Sequence, residues 1–304
     1  MRKRHFLFAS VLALLCSSGA LHAQDFKLTS SGYFKNQGVD VMAFDDIYPE
    51  GHQGGVCIIM NGHRVATNGD IRLEATPGQW QPVPKQLDRK LSDNSITATL
   101  CYPDSSRHLT GFNPMIYPDL HLIYTVNVES KGKNIEVTVD LDRPIPQEFI
   151  GKVGFNLEFF PGSLFGKPWI MDGQSGIFPQ QPNSPLMTTQ PNYLHTGNYH
   201  DGKQSLADMD KLIGKGYSPI VADDIISEPY AKGRKFTSRP DDPYNKVTIE
   251  SLSGDLQLFD GRMNHNNGWF VLRSNIKPGV TKGAVKWIIT PNVVADWMYQ
   301  PVIQ

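Results

Sequence analysis

Cysteine is scarce in this chain. There are three in 304 residues, and Cys16 falls inside the apolar N-terminal stretch. The other two, Cys57 and Cys101, form no CxxC pair, so no zinc-binding or dithiol redox motif is present. They sit in two separate predicted strands. An oxidising compartment would permit a Cys57–Cys101 disulfide if those strands are neighbours, and two buried thiols is the alternative. A surplus of basic residues is also lacking, with 29 Lys and Arg against 30 Asp and Glu. Without a basic stripe to neutralise phosphates, nucleic acid is not an expected partner. Long apolar runs are missing as well. The longest, Phe6–Leu15, is half of the roughly 20 residues a membrane-spanning helix needs, so no membrane span is expected.

Most catalytic signatures are absent too. No P-loop and no HExxH occurs. Gly173-Gln174-Ser175-Gly176 lacks the fifth-position glycine of a nucleophile elbow, and Gly214-Lys215-Gly216 follows a predicted helix where a dinucleotide fingerprint follows a strand. No cofactor and no metal is implied.

What is present starts with a leader. Arg2, Lys3 and Arg4 precede the apolar run, and Leu21-His22-Ala23 offers a small-residue cleavage site before Gln24. The expectation is a signal peptide over residues 1–23 and export to the periplasm, cell surface or medium. Cleavage removes three of the 29 basic residues and none of the 30 acidic ones, leaving a formal charge of −4.

Beyond the leader the dominant period is two. Ile71 and Leu73, Ile96 to Leu100, Leu120 to Val128, and Ile135 to Leu141 each alternate with polar residues, as half-buried strands do. Asn61-Gly62 lies between Cys57–Met60 and Arg64–Ala66, and Asn-Gly tolerates φ > 0 at both turn centres, so a hairpin is predicted there. Asn68-Gly69 reads as a second turn of that kind. Ser130–Lys133 joins two more strands. Further strands are predicted at 153–160, 246–251, 255–259, 269–273 and 284–290. Many short strands with no βαβ rhythm predict an all-β, antiparallel sandwich over residues 24–304. Its one long interruption is 161–243, rich in Pro, Gly and Asn, read as an irregular insert carrying a single helix. Ser205 and Asp208 would cap that helix, Leu206, Met209, Leu212 and Ile213 would form its apolar face, and Gly214 would end it. The apolar stretch Trp297–Gln304 reads as a chain continuing into another domain, or as a terminal edge strand.

Three polar clusters are candidates for chemistry. Asp45-Asp46 with Glu50 and His52 suits acid–base work or calcium, and equally a solvated loop. Glu158 stands among Phe155, Phe159 and Phe160, where burial would raise its pKa as a general acid requires. If only one face of that strand is buried, Asn156 and Glu158 simply alternate outward. The third cluster, Asn264-His265-Asn266-Asn267-Gly268-Trp269, puts amides beside an indole, a combination suited to the hydroxyls and the C–H face of a pyranose. An Asn-Gly turn leading to a core Trp is the plainer account. Trp169, Asp172, Gln174, His265, Asn267 and Trp269 are therefore the candidate glycan contacts, expected to line one cleft between 161–243 and 264–269.

Five stretches carry a family resemblance: Gly38–Phe44, Tyr48–Gly55, Ala75–Pro84, Gly154–Gly162 and Met171–Gly176. They resemble the N-terminal module of Bacteroidetes-type multidomain glycoside hydrolase family 9 (cellulase-like) proteins. The resemblance implies an accessory module beside a polysaccharide, followed in the parent protein by an immunoglobulin-like domain and a catalytic (α/α)6 barrel. In that family the catalytic acids lie downstream, so it assigns no catalytic residue to this chain. A large supersandwich of the galactose-mutarotase type, or two smaller sandwiches, would satisfy the strand pattern. The alternatives are a free-standing carbohydrate-active enzyme using Glu158, His195, His200 or His265 as acid or base, and a purely structural scaffold.

Overall fold

Alternating sequences become strands here because one flank of each is apolar and must leave water. In the computed structural model, residues 25–45, 54–74, 84–104, 120–180, 228–261 and 269–294 are described. They form eighteen strands in two nine-stranded antiparallel sheets. The first sheet runs β1 (Lys27–Leu28), β2 (Phe34–Asn36), β3 (Val39–Ala43), β4 (Val56–Met60), β5 (His63–Leu73), β10 (Val153–Phe159), β17 (Phe270–Asn275), β16 (Leu256–Asp260) and β13 (Ala231–Gly233). The second runs β12 (Gln174–Ile177), β11 (Pro168–Met171), β14 (Lys235–Ser238), β15 (Val247–Ser251), β18 (Val285–Pro291), β9 (Asn134–Leu141), β8 (Leu122–Lys131), β7 (Ser95–Tyr102) and β6 (Lys85–Leu91). Among the described residues the helical segments are short 3-10 turns, Gln147–Phe149 and Pro161–Ser163. No helix among them is long and apolar enough to cross a membrane.

The core lies between the sheets. Val126, Val128, Val137, Val139, Val285 and Ile289 of the second sheet face Ile58, Ile71, Phe155, Leu157, Leu258 and Leu272 of the first, all buried in one cluster. Each such side chain contributes about 1.5–3 kcal/mol of burial. Phe155 meets the Trp287 ring edge-on at 5.0 Å, and Trp287 Nε1 donates to Ser274 Oγ at 3.1 Å, so the largest core side chain has its one polar atom satisfied. Tyr124 of β8 reaches across to Asp70 of β5, its hydroxyl donating at 2.7 Å.

The predicted Asn61-Gly62 hairpin is present, with φ of 52° and 77° at the two turn residues. Asn68-Gly69 is not a turn. Asn68 has φ 55°, but it lies within the continuous strand β5, where residues 67–70 span only Glu158 to Asn156 of β10. The conformational freedom of this Asn-Gly is spent on a β-bulge, because the residues after it still pair with β10. Gly69 has no room for a side chain there: a Cβ would come within 2.6 Å of Val56 Cβ.

The described ends of 161–243 contribute four short strands, β11, β12, β13 and β14, to the sheet edges, and 181–227 lies outside the described residues. Strands of three or four residues hold too little of the period-two signal to be read. One further expectation is revised. Cys57 lies on β4 of the first sheet and Cys101 on β7 of the second, and the two thiols are not joined. Their partners across the ladders are Met42 for Cys57, and Lys85 and Ile123 for Cys101. Residues 1–24, the loop residues Asp46, Glu50 and His52, the helix at 205–213 and the end at 295–304 lie outside the described residues.

Candidate functional site

β10 is buried along its whole length, on both faces. Val153, Phe155, Leu157 and Phe159 point into the core. The opposite parity, Gly154, Asn156 and Glu158, lies on the other face of the strand, so Glu158 is not enclosed by Phe155 and Phe159 as its sequence neighbours suggest. The antiparallel register of β10 with β17 pairs Gly154 with Asn275, Asn156 with Arg273, and Glu158 with Val271. One step further the register places Phe160 opposite Trp269, and their rings meet at 5.1 Å. A single face of the strand pair thus grades from amide and guanidinium through carboxylate to an aromatic pair. β5 borders it, with Asp70 opposite Asn156 and Thr67 opposite Glu158.

The polar end of this face is closely wired. Arg273 is 2% exposed and spends its donors on the protein. Nε donates to Asn275 Oδ1 at 2.8 Å, Nη1 to Asn156 Oδ1 at 2.7 Å, and Nη2 to the Lys152 carbonyl at 2.5 Å. Asn156 passes the link on, donating to Glu74 Oε1 at 3.1 Å. Burial draws the Arg273 guanidinium below its ordinary pKa, and the charge of Glu74 offsets this only in part. Gly154 makes the arrangement possible, because a Cβ there would lie 2.9 Å from Arg273 Cζ and 2.6 Å from the Ser274 carbonyl oxygen.

Arg72 behaves the other way. Burial works against its charge, but the Asp70 and Glu158 carboxylates outweigh that and hold it above the ordinary range. It stands 3.7 Å from Asp70 and donates to the Ile71 carbonyl. Glu158 accepts from Asn68 Nδ2 at 2.8 Å, so the bulge in β5 is what aims Asn68 at the carboxylate. Asn68 Oδ1 is sheltered from solvent and has no hydrogen-bond partner. Chemically, the face offers carboxylates, amides and an aromatic rim. Among the described residues no group of three or more His, Cys, Asp or Glu side chains could hold a metal ion.

Comparison with known proteins finds only distant structural likeness. No family model matches the chain. No curated protein matches it. Among solved structures, YeaD of Salmonella typhimurium, described as a mutarotase candidate, is 8% identical, with 88% of this chain and 96% of that one covered at a TM-score of 0.32. A galactose mutarotase related enzyme from Lactobacillus acidophilus is 9% identical, covering 85% and 96% at a TM-score of 0.35. The Slr1438 protein of Synechocystis sp. is also 9% identical, covering 88% and 96% at 0.35. The two-sheet architecture of this chain stands on its own strand order and register.

The candidate contacts fall into different places. Trp169 is 6% exposed in the core, its indole lying over Gly176 of the neighbouring strand, and its Nε1 has no hydrogen-bond partner. Asp172 turns at φ 45° and accepts from the Arg234 and Lys235 backbone N–H groups at 2.5 and 3.0 Å, tying the β11–β12 hairpin to the connection between β13 and β14. Gln174 is exposed on the edge strand β12. Trp269 is half-buried beside Phe160. His265 and Asn267 lie outside the described residues, as do His195 and His200. Sequence reading singled out Glu158, with Phe160 near it, and Trp269, but did not set Asn68 against Glu158, Phe160 against Trp269, or Arg273 in the same face. The available signal was parity: residues 154, 156, 158 and 160 share one face, as do 269, 271, 273 and 275.

Proposed function

We propose that this chain is the accessory, non-catalytic β-sandwich module of an exported polysaccharide-degrading protein, and that it contacts glycan at the Phe160–Trp269 end of β10 and β17. The observation that carries the reading is the exposed Phe160 packed on Trp269, next to a sheltered run of polar side chains, Glu158, Asn156 and Arg273. Carboxylates and amides beside a flat aromatic suit a pyranose, which has hydroxyls on its edge and C–H groups on its faces. The family 9 resemblance, with its catalytic acids downstream, supports an accessory role, and the leader-like N-terminus supports export.

The second reading is a free-standing carbohydrate-active enzyme, favoured by the Glu158 carboxylate held against Asn68 and close to Arg72. One set of measurements separates the two. The mature chain and a Glu158→Gln variant are screened on a glycan array and assayed for aryl-glycoside hydrolysis and for sugar mutarotation. The accessory reading expects glycan binding with no turnover in either protein. Turnover that falls by roughly 10²-fold or more in Glu158→Gln identifies an acid–base catalyst and overturns the accessory role. Export is tested by N-terminal sequencing of the periplasmic or secreted protein, which is expected to begin at Gln24.

A further inference from the structure

We propose that Asn61 is a self-modification site: the Gly62 backbone nitrogen displaces its side-chain amide, and the acidic product unfastens the β4–β5 hairpin from the β14–β15 turn of the other sheet. No ligand takes part, so the proposal stands apart from the glycan reading.

The chemistry starts from glycine. Having no side chain, Gly62 leaves its own nitrogen unhindered toward the preceding carboxamide. Gly62 N bonds to Asn61 Cγ, the Cγ–Nδ2 bond breaks, and Nδ2 leaves as ammonia with the Gly62 amide proton. Water then opens the cyclic imide at either carbonyl. One product is aspartate; the other is isoaspartate, with the chain rerouted through Cγ. Nothing is oxidised or reduced, and water is the co-reactant.

Asn-Gly occurs twice among the described residues, in different surroundings. Ring closure requires the glycine to turn its nitrogen onto Cγ, so the backbone must move. Asn68-Gly69 is held inside β5. Asn68 Nδ2 donates to Glu158 at 2.8 Å, and a Cβ on Gly69 would lie 2.6 Å from Val56 Cβ. Asn61-Gly62 is instead the tip of the β4–β5 hairpin. Gly62 is exposed, and a Cβ there would meet nothing within 4 Å. From its φ of 77° a glycine moves in and out of the left-handed region at little steric cost.

The amide at stake is a tie between the sheets. Asn61 Nδ2 donates to the Tyr244 carbonyl at 2.6 Å, joining residues 183 positions apart. The atom that makes this bond is the one that leaves. A carboxylate in its place has no proton to donate and faces a carbonyl oxygen, so the contact becomes unfavourable. While the bond is made the carboxamide is anchored, and when the tip lifts Cγ is open to Gly62 N. Each lifting is reversible until the reaction occurs; afterwards the tip does not refasten. The tie is therefore a one-way latch.

The purified protein is incubated at mildly alkaline pH, and its peptides are mapped by mass spectrometry with electron-transfer fragmentation, which separates isoaspartate from aspartate. Asn61 is expected to convert at least about tenfold faster than Asn68, because a strand interior opens less often than a hairpin tip. Gly62→Ala, whose methyl group has room but hinders the nitrogen, should slow conversion at Asn61. Asn61→Asp carries one product from the start. Its hydrogen exchange at the hairpin tip and at residues 242–247 should be roughly two- to tenfold faster than in the wild type, the size of one lost hydrogen bond. Retention of the Asn61 amide, or conversion no faster than at Asn68, overturns the modification site. An unchanged rate in Gly62→Ala overturns attack by the Gly62 nitrogen. Wild-type exchange at both segments of Asn61→Asp overturns the latch.

Discussion

Two residues decide how the polar face is held, and both act through what surrounds them. Gly154 leaves the space that Arg273 occupies, so Gly154→Ala sets a methyl group against a guanidinium and a backbone carbonyl. Overpacking of this kind costs about 1–3 kcal/mol and should lower the melting temperature by roughly 3–10 °C. A variant melting within a degree of wild type would show that Arg273 can move aside. Tyr124 bridges the sheets to Asp70. Burial, and then the Asp70 charge, push its phenol well above the ordinary value near 10. The folded protein keeps a proton that the unfolded chain releases, so stability is full below pH 10 and falls as the pH rises beyond it. In Tyr124→Phe this alkaline loss should be smaller, while stability at pH 7 drops by about 1–3 kcal/mol because a buried carboxylate loses its donor. Urea denaturation at pH 7 and at pH 10.5 measures both effects.

At the scale of elements, short strands depend on single large side chains and on their turns. The β11–β12 hairpin pairs Trp169 with Gly176, and the indole covers the glycine. Trp169→Ala should therefore cost about 3–5 kcal/mol as a cavity. At temperatures where the variant remains folded, its glycan affinity should be unchanged; a selective loss of affinity without loss of stability would return Trp169 to the binding site. The β14–β15 turn is built on Asp242, which accepts from Asn245 Nδ2, from the Tyr244 backbone N–H and from Arg239. Burial opposes its charge, but these partners prevail and hold the carboxyl below the ordinary Asp value. Its contribution is present at neutral pH and is lost on acidification below about pH 4. Asp242→Asn should melt below wild type at pH 7, and the gap should narrow toward pH 3 in thermal scans.

At the scale of the whole molecule, cohesion comes from the inter-sheet core and from polar ties between sheet edges, with no disulfide among them. Arg89 of β6 donates to the Ala43 and Gly32 carbonyls at 2.9 and 2.6 Å, fastening the charged edge of the second sheet to the first. That strand is rich in Lys, Asp and Arg, which also protects its open edge from pairing with other chains. Because Cys57 and Cys101 belong to different sheets and are not joined, a reductant should leave the melting temperature unchanged. A fall of several degrees with dithiothreitol would mean that the two cysteines do pair.

The sequence alone determined the all-β class, the Asn61-Gly62 hairpin and the strands around Ile96, Val126, Val137, Phe155, Ile249 and Trp287. Alternation and turn chemistry are local properties, and these segments each carry enough of them. The edge strands from β11 to β14 were not legible, since three or four residues hold too little of the period. Nor was the bulge at Asn68-Gly69, because the same dipeptide serves a turn or a bulge and the pairing of the residues after it makes the choice. Glu158 and Trp269 stood out by residue type, but only the antiparallel register of β10 with β17 set Asn156 beside Arg273 and Phe160 beside Trp269. Trp169 and Trp269 look alike in sequence, and a cross-strand glycine sends one into the core while a place beside the exposed Phe160 leaves the other at a rim. Tertiary structure decided these points because register and sheet order join residues more than a hundred positions apart, and no local pattern encodes that distance.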